Sequence, residues 1–549
     1  MQGKWMETAF GVRWPRGLIG ALALCTAGLG WAEVPAATDT AAWVALGQRI
    51  YREAVDTQGQ TLRALGPSQI VMSGTDVACT TCHRRSGYGT AEGKYTVRPI
   101  TGPALFQEQT MVEHAPRVKA QVGMHQRAAY TEATLARALR TGMDAAGKPL
   151  ESIMPRYALS DNDVRALSAY LATLSAQDAP GVDAEEVHFA TVIQPGVSPE
   201  RRRAMLDIMQ AFVRDKTSNV RSDEQRREAG IMRMNRSYRK WVLDVWELTG
   251  PAQEWPAQLD AHYRRQPVFA LVGGLGASSW APIHDFAERL QLPCVLPQVD
   301  LPAAAGSNAY TVYFSRGLAL EAEVLARHLQ EQAETGLVVQ VYRPTESASA
   351  AARAFRAALP SGTAVQDVVL TGAADAAFWR GVLADRPAQV LLWLEPADWA
   401  ALPTEWPESS RLLGSYALLG NKGADAVVRS GKALQLVYPS DLPPRHDARM
   451  LRAKMWLHNK GIGFTDEATQ VNTLFAMAVV SDAMGHIMDS FSRDFFLERV
   501  EHAVSQTPTP SLYQSISLGP GQRYAAKGSN IVQWGEKGPV KAVSGWVVP

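Results

Sequence analysis

The sequence predicts a multidomain chain in which a small all-α domain is followed by a two-lobed α/β domain. Amphipathic helical segments flank a compact Cys/His motif in the first third, and the segment "QDAPGVDAE" at 177–185 has the Pro/Gly/Asp content of an interdomain linker. Beyond it, strand-like runs alternate with amphipathic helices to near the end of the 549 residues. That alternation argues for parallel sheets with helices on both faces. It is also too long for one compact open sheet, so two lobes are expected.

The chain opens with "MQGKWMETAFGVRWPRGLIGALALCTAGLGWAEVPA". Lys4, Arg13 and Arg16 precede an apolar run from Gly17 to Leu29, and a small-residue site ends at Ala32. This is the layout of a secretory signal peptide over 1–32. The run is shorter than the roughly 20 residues a membrane span needs, so no stable span is expected after cleavage. An uncleaved anchor is the alternative reading. Cys25 falls in the discarded segment, because Leu24 before it departs from the small residue of a lipoprotein signal.

Two of the four cysteines stand in "CTTCHRRSGYG", with a histidine directly after the second. A structural zinc site needs four ligands, and Cys25 and Cys294 stand alone. A thioredoxin-like pair needs a strand-to-helix setting, which the turn-rich "GPSQIVMSGTDVA" before Cys79 lacks. The remaining chemistry is c-type haem attachment, in which Cys79 and Cys82 add to the two vinyl groups and His83 ligates iron. One covalently attached haem c is therefore expected. Cys294, in "LQLPCVLP", reads as a buried core thiol.

A second axial ligand is sought downstream. Met154 precedes "PRYALSDNDVRALSAYL", in which Ser160 and Asp163 form a capping-box pattern. Val164, Leu167, Tyr170, Leu171 and Leu174 then recur at helical spacing. Pro155 pins the loop that carries the thioether. Met111, Met124, His114 and His125 lie in a long intervening segment as further possible ligands, and Met143 sits in an apparent turn after the helix "TEATLARALR". Their plainer reading is surface or core filler.

"CTTCH", the Met154 segment and the early helix "AAWVALGQRIYREAV", with Gly47, Ile50 and Tyr51 on one side, together resemble a class I cytochrome c domain over 40–176. The resemblance implies that the first and last helices cross, that His83 and Met154 are the iron ligands, and that the domain carries single electrons with a redox partner protein. Filled axial positions suit a carrier better than peroxide chemistry, which needs an open iron face. The chain is accordingly expected not to be an enzyme.

From 186 to 534, "EVHFATVIQPG", "KWVLDVWELTG", "PVFALVGGLG", "YTVYFSRG", "LVVQVYRP", "AVQDVVL" and "QVLLWLEP" read as strands with helices between them. The stretch "SLYQSISLGPGQRYAAKGSNIVQW" reads as extended segments with turns, closing the fold with a hairpin, and 535–549 follows as a C-terminal tail. The order of elements, with "FALVGGLGASSWAPIHDFAERLQLPCVLP" carrying the closest likeness, resembles a type I periplasmic binding protein of the branched-chain amino-acid or amide-binding kind. That resemblance implies a small-molecule ligand between the lobes, held by loops that follow strands. Gly276, Ser278, Ser279 and Trp280 belong to one such loop, and Ser315 and Arg316 to another. The serines read equally as helix caps, Trp280 as core packing, and Arg316 as half of a surface ion pair.

Other classes are excluded by composition and motif. The 55 basic residues balance 54 acidic ones, so no nucleic-acid partner is implied. In "RDKTSNVRSDEQRREAGIMRMNRSYRK" the two signs interleave, as on a solvated helical face. "GGLG" lacks the spacing of a dinucleotide site. The expected protein is a periplasmic cytochrome whose second domain gates or docks it. The alternative is a solute receptor, working with a permease, in which haem is accessory.

Overall fold

A computed structural model describes residues 39–92, 95–114, 121–228, 239–303, 309–332, 336–487 and 490–549. The signal-peptide segment 1–32 lies outside them. In the first part, helix Thr40–Glu53 starts where the Asp39 side chain accepts the amide of Ala42. Helix Asp161–Thr173 starts at the Ser160/Asp163 capping box, as the spacing predicts. The two helices cross at Gly47, where a Cβ would lie 2.0 Å from the carbonyl oxygen of Ala166, so only glycine permits this approach. Tyr51 and Tyr170 pack beside the crossing with ring centroids 5.3 Å apart.

The part expected to be all-α also carries short strands. Arg63–Leu65 pairs antiparallel with Val71–Ser73 and with Arg156–Tyr157. Much of the long intervening segment is a hairpin, Gln109–His114 against Gln121–Arg127, with Met111 opposite His125 and Val112 opposite Met124. The rival methionines and histidines lie on this hairpin, and residues 115–120 are outside the described set. Met143 makes an isolated bridge to Pro149 in the turn after helix Glu132–Thr141.

Two parallel sheets follow. The first has five strands in the spatial order Thr311–Val312, Cys294–Val295, Ala270–Val272, Glu186–Ile193, Lys240–Glu247, all parallel. The central strands Ala270–Val272 and Cys294–Val295 are wholly buried, as suits strands covered on both faces. Cys294 is fully buried there. The helix after the first strand extends over Pro199–Glu228. The second sheet orders Val365–Val369, Val338–Tyr342, Gln389–Trp393, Arg411–Ser415 and Leu434–Tyr438 in parallel, then adds the antiparallel hairpin Asn530–Gly535 and Gly538–Ala542. The hairpin, which runs from 530 into the 535–549 tail, is therefore an edge of the second lobe.

Helices Glu467–Met484 and Arg493–Gln506 follow the second sheet in sequence but pack on the first. Phe496, Leu497, Val500, Ala503 and Val504 of the second helix enter the core of the first lobe. Asp494, Glu498 and Glu501, at i, i+4 and i+7, face the cytochrome-like part. Asp494 receives Arg52 at 3.2 Å and Arg85 at 3.5 Å. The Ser86 amide and hydroxyl donate to Glu498 at 3.0 and 2.6 Å, and Arg84 pairs with Glu501 at 2.6 Å. Tyr88 stacks on Phe495 at 4.3 Å.

The 177–185 stretch is tied down as well. Phe491 donates its amide to Asp178, and Ala179 donates to the Phe491 carbonyl. A Cβ at Gly181, where φ is +93°, would strike the amide nitrogen of Phe269 at 2.3 Å. The two parts thus share an ordered, charged interface and a pinned connection.

Gly47→Ala is expected to destabilise the helical part by roughly 1–3 kcal/mol through overpacking. Differential scanning calorimetry of the full chain would show this as a lowered first transition, and an unchanged trace would contradict the close crossing.

Candidate haem pocket and interlobe cleft

Cys79–His83 forms a single helical turn. Residues three and four apart on a helix share a face, so Cys79 places Cys82 and His83 on its own side. A tight reversal follows: Gly87 and Gly89 have φ of +79° and +76°, and a Cβ at Gly89 would lie 2.1 Å from the Val97 carbonyl oxygen. The reversal brings the Arg98 carbonyl back to His83, 3.1 Å from Nδ1. A carbonyl only accepts, so the proton resides on Nδ1 and the Nε2 lone pair faces the other way, the tautomer a metal ligand needs. Burial lowers the His83 pKa to about 4 and pushes the Cys79 thiol up to about 12. Ring and thiol are therefore neutral at pH 7.

Met154 and Cys79 are both half-buried and pack against one core that contains Tyr51, Tyr157, Leu167 and Tyr170. The Met154 loop is fixed from two sides. The Arg156 guanidinium donates to the Met154 carbonyl. The Tyr157 hydroxyl donates to the Val77 carbonyl at 2.9 Å, just before the motif. The donor set of two thiols on one face, an imidazole with its outer nitrogen occupied, and a thioether against the same apolar wall fits a c-type haem.

Between the lobes lies a cavity of about 1150 Å³. The first lobe contributes Gln298, Asp300 and Ser315, the second Glu321, Tyr416 and Lys422, and the segments running between them Glu467, Tyr513 and Ser529. Burial raises the Glu321 carboxyl to about 8, and it caps the helix of the second lobe by receiving the Ser415 hydroxyl and the Ala417 amide.

Of the residues singled out from sequence, Ser315 lines this cavity, with its hydroxyl 3.4 Å from that of Tyr513. The others are engaged elsewhere. Gln194 Oε1 receives the amide and hydroxyl of Ser278. The Ser279 amide donates across the lobes to Glu346 at 3.2 Å. Trp280 is fully buried in the core, Gly276 packs against Val299, and Arg316 pairs with Glu323. Tyr513, Ser529 and Glu321 were missed because they come from segments distant in sequence. The interface acids were missed too, although the i, i+4, i+7 spacing in "RDFFLERVEHAV" and the two arginines after His83 were visible signals.

A helical domain whose donor set fits a c-type haem is thus docked on a bilobed α/β scaffold with an interlobe cavity. Residues 46–175 match the family model for cytochrome c and form a cytochrome c domain. The larger part has the fold of an ABC transporter substrate-binding protein from Sphaerobacter thermophilus, at 12% identity and a TM-score of 0.50, over 66% of this chain and 98% of that one. A leucine-binding protein LivK from Thermotoga maritima aligns at 13% identity and a TM-score of 0.48, over 66% and 99%. A branched-chain amino acid ABC transporter protein from Thermus thermophilus aligns at 12% and 0.46, over 67% and 98%. No curated protein matches the chain.

Burial raises the Glu498 pKa to about 7, above the unfolded carboxyl value near 4.3. The folded state therefore holds this proton more tightly. Its stabilising contribution is complete below the unfolded pKa and is lost as pH rises through about 7, on the order of 3 kcal/mol in all. Glu498→Gln is expected to flatten this loss between pH 5 and 8 in thermal unfolding. An unaltered pH slope would show that Glu498 is not its source.

Proposed function

We propose that the chain is an exported mono-haem c-type cytochrome that transfers single electrons, with a fused solute-binding domain that docks and gates it. Cys79 and Cys82 would attach the haem through thioethers, and His83 and Met154 would hold its iron. The observation that carries this reading is the convergence of the Cys79–His83 turn and the Met154 loop on one apolar core, with His83 Nδ1 held by a carbonyl. A bound haem supplies a one-electron carrier. The chain's own residues hold the imidazole tautomer, exclude water from the apolar side, and fix the thioether loop. An iron held by both His83 and Met154 would be suited to electron transfer over oxygen or peroxide chemistry.

The interface on Asp494, Glu498 and Glu501 supports docking as part of the function: a carrier held in one orientation offers partners only its opposite faces. The cavity around Ser315 and Tyr513 supports a small-molecule ligand, and with it the second reading, a periplasmic solute receptor that serves a permease and carries an accessory haem. No helix among the described residues is long and apolar enough to cross a membrane. Export rests on the 1–32 segment and on the thioether chemistry proposed here.

Protein matured with haem-attachment machinery is expected to show a covalent c-type reduced spectrum and, when oxidised, a far-red sulfur-to-iron band that disappears in Met154→Ala. A spectrum indifferent to Met154→Ala would move the axial ligand elsewhere. Native mass spectrometry tests the cleft: a small molecule retained by the wild-type chain should be lost or weakened in the double variant Ser315→Ala, Tyr513→Phe, and equal retention would remove the cleft as its site.

A further inference from the structure

We propose that the Arg84–Glu501–Arg523 ion triad couples the oxidation state of the haem site to the interlobe cleft. The proposal rests on the reading of Cys79–His83 as the haem attachment. Arg84 is the residue after His83, and its guanidinium lies 2.6 Å from Glu501 Oε2. The other carboxylate oxygen of Glu501 receives Arg523 at 2.7 Å and the Gly521 amide at 3.2 Å. Glu501 is 5% exposed and Arg523 9%. Two guanidinium groups thus share one carboxylate where water screens little, so a change in the pull on one side is felt by the other.

The far end of the triad reaches the cleft through backbone hydrogen bonds. The Arg523 carbonyl accepts the Tyr313 amide at 2.8 Å, Ala525 donates to the Tyr313 carbonyl at 3.1 Å, and Ala526 donates to the Phe314 carbonyl at 2.7 Å. Tyr524 stacks on Tyr313 at 5.5 Å. Residues 523–526 are therefore zipped to the strand that delivers Phe314 and Ser315 to the cavity, and the same segment continues to Gly528 and Ser529 in the cavity wall. Ser529 is 3% exposed, and its hydroxyl has no hydrogen-bond partner. A buried, unpaired hydroxyl at the end of this path is a group a ligand would satisfy.

Removing one electron from the haem site adds one positive charge beside His83 and raises the repulsion felt by Arg84. Arg84 then holds Glu501 differently, and Glu501 redistributes toward Arg523 and the segment zipped to the cleft. Such coupling is reciprocal: whatever the oxidised state does to the cleft, occupation of the cleft does to the electron affinity of the site.

The test is hydrogen–deuterium exchange by mass spectrometry on the full haem-loaded chain, oxidised with ferricyanide or reduced with ascorbate, with no cleft ligand added. Peptides covering 310–317 and 521–529 are expected to differ in exchange rate between the two states by about fivefold or more. Arg84→Gln and Glu501→Gln should each abolish the difference while keeping the c-type spectrum. Identical exchange in the two states of the wild type overturns the coupling while leaving the proposed function intact. A difference that persists undiminished in a spectrally normal variant overturns the triad as the route. A wild-type chain without covalent haem overturns both readings, and the spectrum reports that before any exchange is measured.

Discussion

The arrangement of the whole molecule depends on how the charges of helix Arg493–Gln506 are neutralised. Three carboxylates taken largely out of water are tolerated only where cations and hydrogen-bond donors meet them. Here those groups are Arg52, Arg84, Arg85 and the Ser86 amide and hydroxyl. Four of these five donors come from the three residues after the Cys79–His83 turn. The sequence beside the haem motif therefore also fixes the orientation of the domain. The opposite face of the same helix buries Phe496, Leu497 and Val500 in the first lobe, so neither attachment can slide without exposing charge or apolar surface.

The same economy governs the haem pocket. A backbone carbonyl orients the imidazole, a tyrosine hydroxyl ties the methionine loop to the turn before the motif, and the crossing at Gly47 brings the wall of the pocket close. None of these contacts is strong alone. Together they remove the alternatives open to each group, which is how a site is held in one geometry.

The cleft is built differently. Its walls come from both sheets and from three stretches of chain running between them, so the cavity exists only because the chain crosses between lobes repeatedly. Glu321 stands on a helix packed in the second lobe and caps another helix there, through Ser415 and Ala417. Ser279 and Glu346 bridge from lobe to lobe. Polar groups that a sequence reader would reserve for a ligand are already committed to holding the lobes.

Local pattern was enough to predict the cysteine–histidine motif, the capped helix after Met154, the Gly47 face and the alternation that makes two parallel sheets, because each depends on residues within a few positions of one another. The docking helix Arg493–Gln506 carries no such local signature of its role. Its acids became meaningful only when set against arginines some 400 positions earlier. The loop around Ser278 looked like a ligand seat from its serines, but Gln194, far upstream, occupies it. Only the tertiary structure decided these matters, since hydrogen bonding and charge pairing are short-ranged in space and carry no signature of which distant residues will meet.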